Sequence, residues 1–125
     1  MSVANKLRFV FEERDVHHRF IVDRTDPSKK WGFEALPITG KVAEDFVIIS
    51  RVFQSETGEI LITAAGITQY GSRAAGEFLT NPLYWEEVAR QAPAGWQKQN
   101  LQVIFSVKII DHTPGPPNIL ATHFW

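Results

Sequence analysis

The chain has 125 residues, 13 basic against 14 acidic side chains, a formal net charge of −1, four tryptophans and no cysteine. That is one domain's worth of chain, by the usual scale of about 100–200 residues per domain. The missing cysteine excludes a disulfide scaffold, a thiolate zinc site, an iron–sulfur centre and a cysteine nucleophile, and the near-balanced charge argues against a general polyanion binder of nucleic acid.

No apolar run reaches the roughly 18–20 residues that span a bilayer, and Met1–Asp15 has no apolar h-region of a secretory signal. A cytoplasmic single domain over residues 1–125, with no membrane partner, is expected.

In chain order, Leu7-Arg8-Phe9-Val10-Phe11 alternates with period two and Arg19–Asp23 is a second strand candidate. Residues 7–23 therefore read as a β-hairpin. Asp26-Pro27 marks a turn. Residues 27–43 carry Pro27, Pro37 and Gly40 without a clear period and read as a long loop, pinned by Trp31 and Phe33. Phe46–Phe53 is a continuous apolar run, suited to a strand covered on both faces. Ile60–Ala65 reads as the next buried strand, and the short polar link between the two makes them antiparallel.

Helices are expected over 72–79, with Ser72 or a neighbour as N-cap, and over 82–92, with Asn81 as N-cap and Pro82 in the first position. Trp85, Val88, Ala89 and Ala92 form its apolar stripe. Leu101–Ile110 is the longest strand candidate. A rigid proline turn follows, and the last strand runs from Asn118 to Trp125. The fold class is α/β. The expected sheet is mixed, with one right-handed βαβ crossover joining the strands at 60–65 and 101–110, flanked by antiparallel hairpins.

The segment from Ala64 to Gly76 carries the most chemistry. It runs from a strand through a glycine loop into a helix start, where free backbone N–H groups and the helix dipole favour an anion. Gly66 and Gly71 permit close approach, and Thr68, Ser72 and Arg73 add hydroxyls and a positive charge. A small anionic ligand at Gly66, Thr68, Gly71, Ser72 and Arg73 is the first expectation. The same glycines also suit tight turning and close packing alone. The lysine of a phosphate-binding P-loop is missing, as are the outer glycines of a nucleophile elbow.

Other residues carry weaker signals. His17 and His18 face opposite ways on a strand, and no metal-ligand spacing joins the four histidines, so no metal or cofactor is expected. Asp23 and Asp26 sit at a strand end, a place for capping more often than for catalysis. Arg14, Arg19, Arg24, Lys29 and Lys30 make the first third locally basic, and interleaved acids mark it as a solvated face. No convincing nucleophile–base pair supports an enzyme. The alternative function is an interaction or homodimerisation module, suggested by the apolar ending Phe124-Trp125.

Asp45–Ile49, Ile60–Ile67 and Tyr70–Thr80 together resemble an uncharacterised bacterial domain of acidobacterial type, with its pattern of strand, AG, loop and GT-x-AAGEF(L/V)T. Ser72 stands where that pattern has threonine. The family begins with a further strand and small-residue loop, whereas this chain starts at Lys6-Leu7-Arg8, so the resemblance implies a domain lacking that strand. Some members adjoin a DNA-binding region, so the resemblance implies a sensory or regulatory role.

Overall fold

Alternation and β-branched runs produce the longer strands, and two capped segments produce the α-helices. The computed structural model describes residues 7–15, 18–33, 43–54 and 57–125. The elements are β1 (Phe9–Asp15), β2 (His18–Asp23), β3 (Lys30–Phe33), β4 (Glu44–Phe53), β5 (Ile60–Gly66), α1 (Gln69–Thr80), α2 (Pro82–Gln91), β6 (Leu101–Ile110), β7 (Thr113–Pro114) and β8 (Asn118–Phe124). A short 3-10 turn, Trp96–Lys98, precedes β6.

β1, β2 and β3 form one antiparallel sheet. The expected hairpin is therefore present, extended by a third strand where a loop was expected. β3 is only four residues long, too short to show a period, and its Trp31 packs as anticipated. Pro37, Gly40 and the rest of the expected loop from 34 to 42 lie outside the described residues.

The second sheet has the order β5-β4-β6-β7, with β8 also paired to β6. Both β5 and β6 pair antiparallel with β4. They therefore point the same way but are separated by β4, and every strand pair among the described residues is antiparallel. The expected mixed sheet is corrected accordingly: each link between adjacent strands of this sheet is antiparallel, and the pair 60–65 and 101–110 shares no ladder.

Alternation along β4 and β6 sends successive side chains to opposite faces. Val47, Ile49, Val103 and Phe105 meet Ala74, Ala75 and Phe78 of α1 and Val88 of α2. Ile48 and Ile104 meet Phe9 and Ile21 of the small sheet on the other face. The result is three layers, with helices, large sheet and small sheet stacked in turn. β4 is covered on both faces, as its unbroken apolar run requires. β5 is not: Ile60 and Ile62 are 54% and 53% exposed, because this strand is the edge of its sheet. It carries the same residue types as a buried strand, so composition alone misplaces it.

Both helices have side-chain caps. Thr68 Oγ1 accepts from Tyr70 N, which starts α1 three residues before the expected boundary. Asn81 accepts from Leu83 N at 3.0 Å, with Pro82 beginning α2 as expected. No helix among the described residues is long and apolar enough to cross a membrane.

Candidate functional site

The junction of β5 and α1 is built around a residue from the neighbouring strand. Asp45 of β4 is fully buried, and its carboxyl reaches under the loop. Oδ2 accepts from Thr68 N at 2.9 Å, Thr68 Oγ1 at 2.5 Å and Gly71 N at 2.8 Å, while Oδ1 accepts from Phe46 N at 2.8 Å. Burial pushes the carboxyl above the ordinary carboxylate range, and these bonds to Thr68, Phe46 and Gly71 pull it back. Three further amides of the junction are bonded within the protein. Gly66 N donates to Ser72 Oγ, Ile67 N to Phe46 O, and Ser72 N to Thr68 O.

The expectation of free N–H donors at Gly66, Gly71 and Ser72 is thus corrected. The place foreseen for a ligand anion is filled by the protein's own carboxyl, because a helix N-terminus attracts an internal acid as readily as a soluble one. Thr68 and Gly71 are brought together, but around Asp45. Ser72 turns back to Gly66. Arg73 is exposed on α1 and lies 3.8 Å from Glu77. The glycines serve close packing: a Cβ on Gly66 would run into the backbone of Gly71, and one on Gly71 into Asp45 Oδ2. The only advance signal for Asp45 was an acidic residue opening an apolar run.

A different group of polar side chains surrounds Arg8, where the small sheet meets β8. Arg8 Nε and Nη2 donate to the two carboxylate oxygens of Asp23 at 3.0 and 2.9 Å, a bidentate pair. Thr25 adds two further bonds to Asp23 Oδ1 from its amide and its hydroxyl. Arg8, then Thr25, hold the Asp23 carboxyl well below the usual carboxylate range despite its burial. Asp23 therefore caps a turn, as its position suggested, and also anchors a cation.

The Asp23 side chain is 1% exposed and that of Arg8 31%, so the guanidinium bridges interior and solvent. His123 Nδ1 lies 3.5 Å from Arg8 Nη1. Burial and the Arg8 charge lower the affinity of this imidazole for a proton, which suits a neutral ring accepting at Nδ1.

Arg8 and Asp23 face a groove of about 480 Å³, bordered also by the exposed Lys29 and Lys30 and by Trp31 and Ala121. A second cleft, of about 170 Å³, lies between α2 and the start of β8 and contains Glu87 but no cation. The first is therefore the better match to an anion. Lys29 and Lys30 belong to the stretch read from sequence as a solvated basic face. No local pattern marks Arg8, because its partner is 15 residues away and its groove is closed by β8, more than 110 residues along the chain.

Other sequence candidates stay apart. Tyr70 Oη and His112 Nδ1 are 3.0 Å apart on the exposed surface. Ser72 bonds Gly66, and Asp26 accepts from Ser28, so neither has a histidine partner among the described residues. Among those residues no group of three histidine or acidic side chains could hold a metal ion. His17 and the side chain of His18 lie outside the description. Comparison with protein-family models, curated proteins and solved structures gives no match to this chain.

Proposed function

We propose that this chain is a binding domain for a small anionic ligand, held in the groove between the small sheet and β8. The observation that carries the reading is the Arg8–Asp23 pair. Asp23 fixes the guanidinium in one geometry, and each terminal nitrogen carries a second N–H beyond those already used. Lys29 adds positive charge on the same rim; Lys30 also borders it, with its ammonium 4.8 Å from the centre of the Phe20 ring. A pre-positioned cation loses little freedom on binding, so a carboxylate or phosphate gains more from it than from a mobile lysine. The resemblance of the 64–80 segment to a domain found beside DNA-binding regions supports a sensory use of such binding.

The test is a calorimetric titration of the intact chain with inorganic phosphate and with citrate. Saturable binding that weakens with added salt and is lost in Lys29→Ala/Lys30→Ala supports the proposal. No heat at millimolar anion, or binding unchanged in the double variant, overturns it.

A second reading is self-association, and it rests on β5 and not on Phe124-Trp125. Trp125 exchanges both backbone bonds with Asn100 and is half-buried. By contrast Ile60, Leu61 and Ile62 are exposed on an edge strand. Gly66 N points away from β4 towards Ser72, so by alternation the groups of Ile60, Ile62 and Ala64 also point outward. β5 itself carries no charge, and a two-fold axis at Ile62 sets Ile60 of one copy opposite Ala64 of the other. Ile62 then meets its own copy on the axis, the bulky Ile60 meets the small Ala64, and Glu59 falls opposite Ala65 and not opposite its own copy. The occupant proposed for this edge is a second copy of the chain.

A further inference from the structure

Resting on the reading of the groove as an anion site, we infer that its ligand carries a flat ring beside its charged group, making it an aromatic phosphate or aromatic carboxylate. Two independent observations lead there.

The first is size. The groove holds about 480 Å³. A water molecule's share of liquid is about 30 Å³, and a tetrahedral oxyanion needs only a few times that. A bare oxyanion would leave most of the space to water. The volume falls instead within the range of about 300–1,000 Å³ that suits organic ligands.

The second is the division of the walls. Arg8 and Lys29 supply charge, while Trp31, Leu120 and Ala121 supply apolar surface. Beneath them runs a row of rings. Trp31 meets Phe9 edge to face at 6.0 Å and 90°. Phe9 meets His123 at 6.4 Å and 73°. His123 stacks on Trp125 at 5.0 Å and 15°. The Arg8 guanidinium lies 5.4 Å from the centre of the Phe9 ring. Trp31 is thus braced from below by Phe9, which is itself 2% exposed, and can receive a planar ring without reordering. An anion alone would use the charged rim and leave this surface wet. A ring bearing an oxyanion uses both.

The cations do not distinguish phosphate from carboxylate, since a guanidinium fork matches either. A ring contact with Trp31 should tighten binding about tenfold relative to the bare anion.

The experiment is an amide and indole NMR titration of the intact chain at fixed pH and ionic strength. Its probes are phenyl phosphate, benzoate and inorganic phosphate. The expected result is saturable shifts at the amides of Arg8, Lys29–Trp31 and Ala121–His123 and at the Trp31 indole. Phenyl phosphate or benzoate should bind about tenfold more tightly than inorganic phosphate, and whichever is tighter names the head group. Trp31→Leu should abolish the difference, and Trp31→Phe should retain part of it. Equal affinity for phenyl phosphate, benzoate and inorganic phosphate overturns the ring while leaving the anion site standing. No saturable binding of any probe overturns both. Should Trp31→Leu fail to fold, the comparison of probes on the unaltered chain decides alone.

Discussion

Gln102 exchanges both halves of its side-chain amide with the backbone of Phe9: Oε1 accepts from Phe9 N at 2.8 Å and Nε2 donates to Phe9 O at 2.8 Å. The same Oε1 accepts from Arg8 N, and the same Nε2 donates to Ser50 Oγ. A fully buried amide thus behaves as a strand edge, joining the large sheet to the small one and setting where Arg8 begins. Replacing it by leucine keeps most of the volume and strands several buried backbone groups. Each such group costs about 1–3 kcal/mol. We expect Gln102→Leu to lower unfolding free energy by about 3 kcal/mol, read from the urea midpoint. A change below about 1 kcal/mol would mean that the two sheets do not depend on this link.

The Asp45 clamp gives a paired prediction at the β5–α1 junction. Asparagine has one acceptor oxygen, so Asp45→Asn cannot accept from both Phe46 N and the three donors of Thr68 and Gly71. A loss of about 1–3 kcal/mol is expected. Gly71→Ala drives a methyl group into the same carboxyl and should cost about 1–3 kcal/mol by overpacking. The two changes strike one network, so the double variant should lose less than the sum. Thermal and urea unfolding of all three variants check this, and simple additivity would contradict a shared site.

Acid stability should reflect two opposing carboxyls. The folded-state value of Asp23 is depressed, chiefly by Arg8, so its contribution is present above the ordinary carboxylate value and is lost as pH falls towards the folded one. The folded-state value of Asp45 is raised by burial, so its contribution is present at low pH and is lost as pH rises through the folded value. Asp23→Asn should therefore flatten the loss of stability below about pH 4. Asp45→Asn should flatten the decline between about pH 4 and neutrality. Urea midpoints measured across that range decide it. An unchanged acid limb in Asp23→Asn would show that the Arg8 pair does not persist in solution.

Self-pairing through β5 predicts a concentration-dependent dimer. Ile62 is 53% exposed, so Ile62→Lys should hardly disturb the fold while placing a charge against its own copy across the two-fold axis. Light scattering should show dimer for the unaltered chain and monomer for the variant. A strict monomer at millimolar concentration for the unaltered chain would refute the pairing.

Much of this molecule is legible before folding, because local rules act locally. Alternation in Leu7–Phe11, the β-branched run of β4, the Asn81-Pro82 cap and the glycine pair 66 and 71 each announce their element within a few residues. β3 escapes because four residues are too few to display a period. The junction loop misleads for a related reason. A helix start that seeks an anion looks the same from sequence whether the anion is a ligand or Asp45, whose approach depends on the β4–β5 pairing.

The sequence by itself determined the longer strands and the two helices, and it marked the glycine pair as suited to close packing, since periodicity, capping and side-chain size are properties of neighbours. Only the tertiary structure decided which strand became an edge, which acid closed the loop, and which cation was left facing a groove. Those outcomes turn on contacts such as Arg8 with Gln102 and Asp45 with Gly71, which join residues 94 and 26 positions apart. No local pattern encodes a pairing at that separation; it follows from the competition among whole layers to bury their apolar faces.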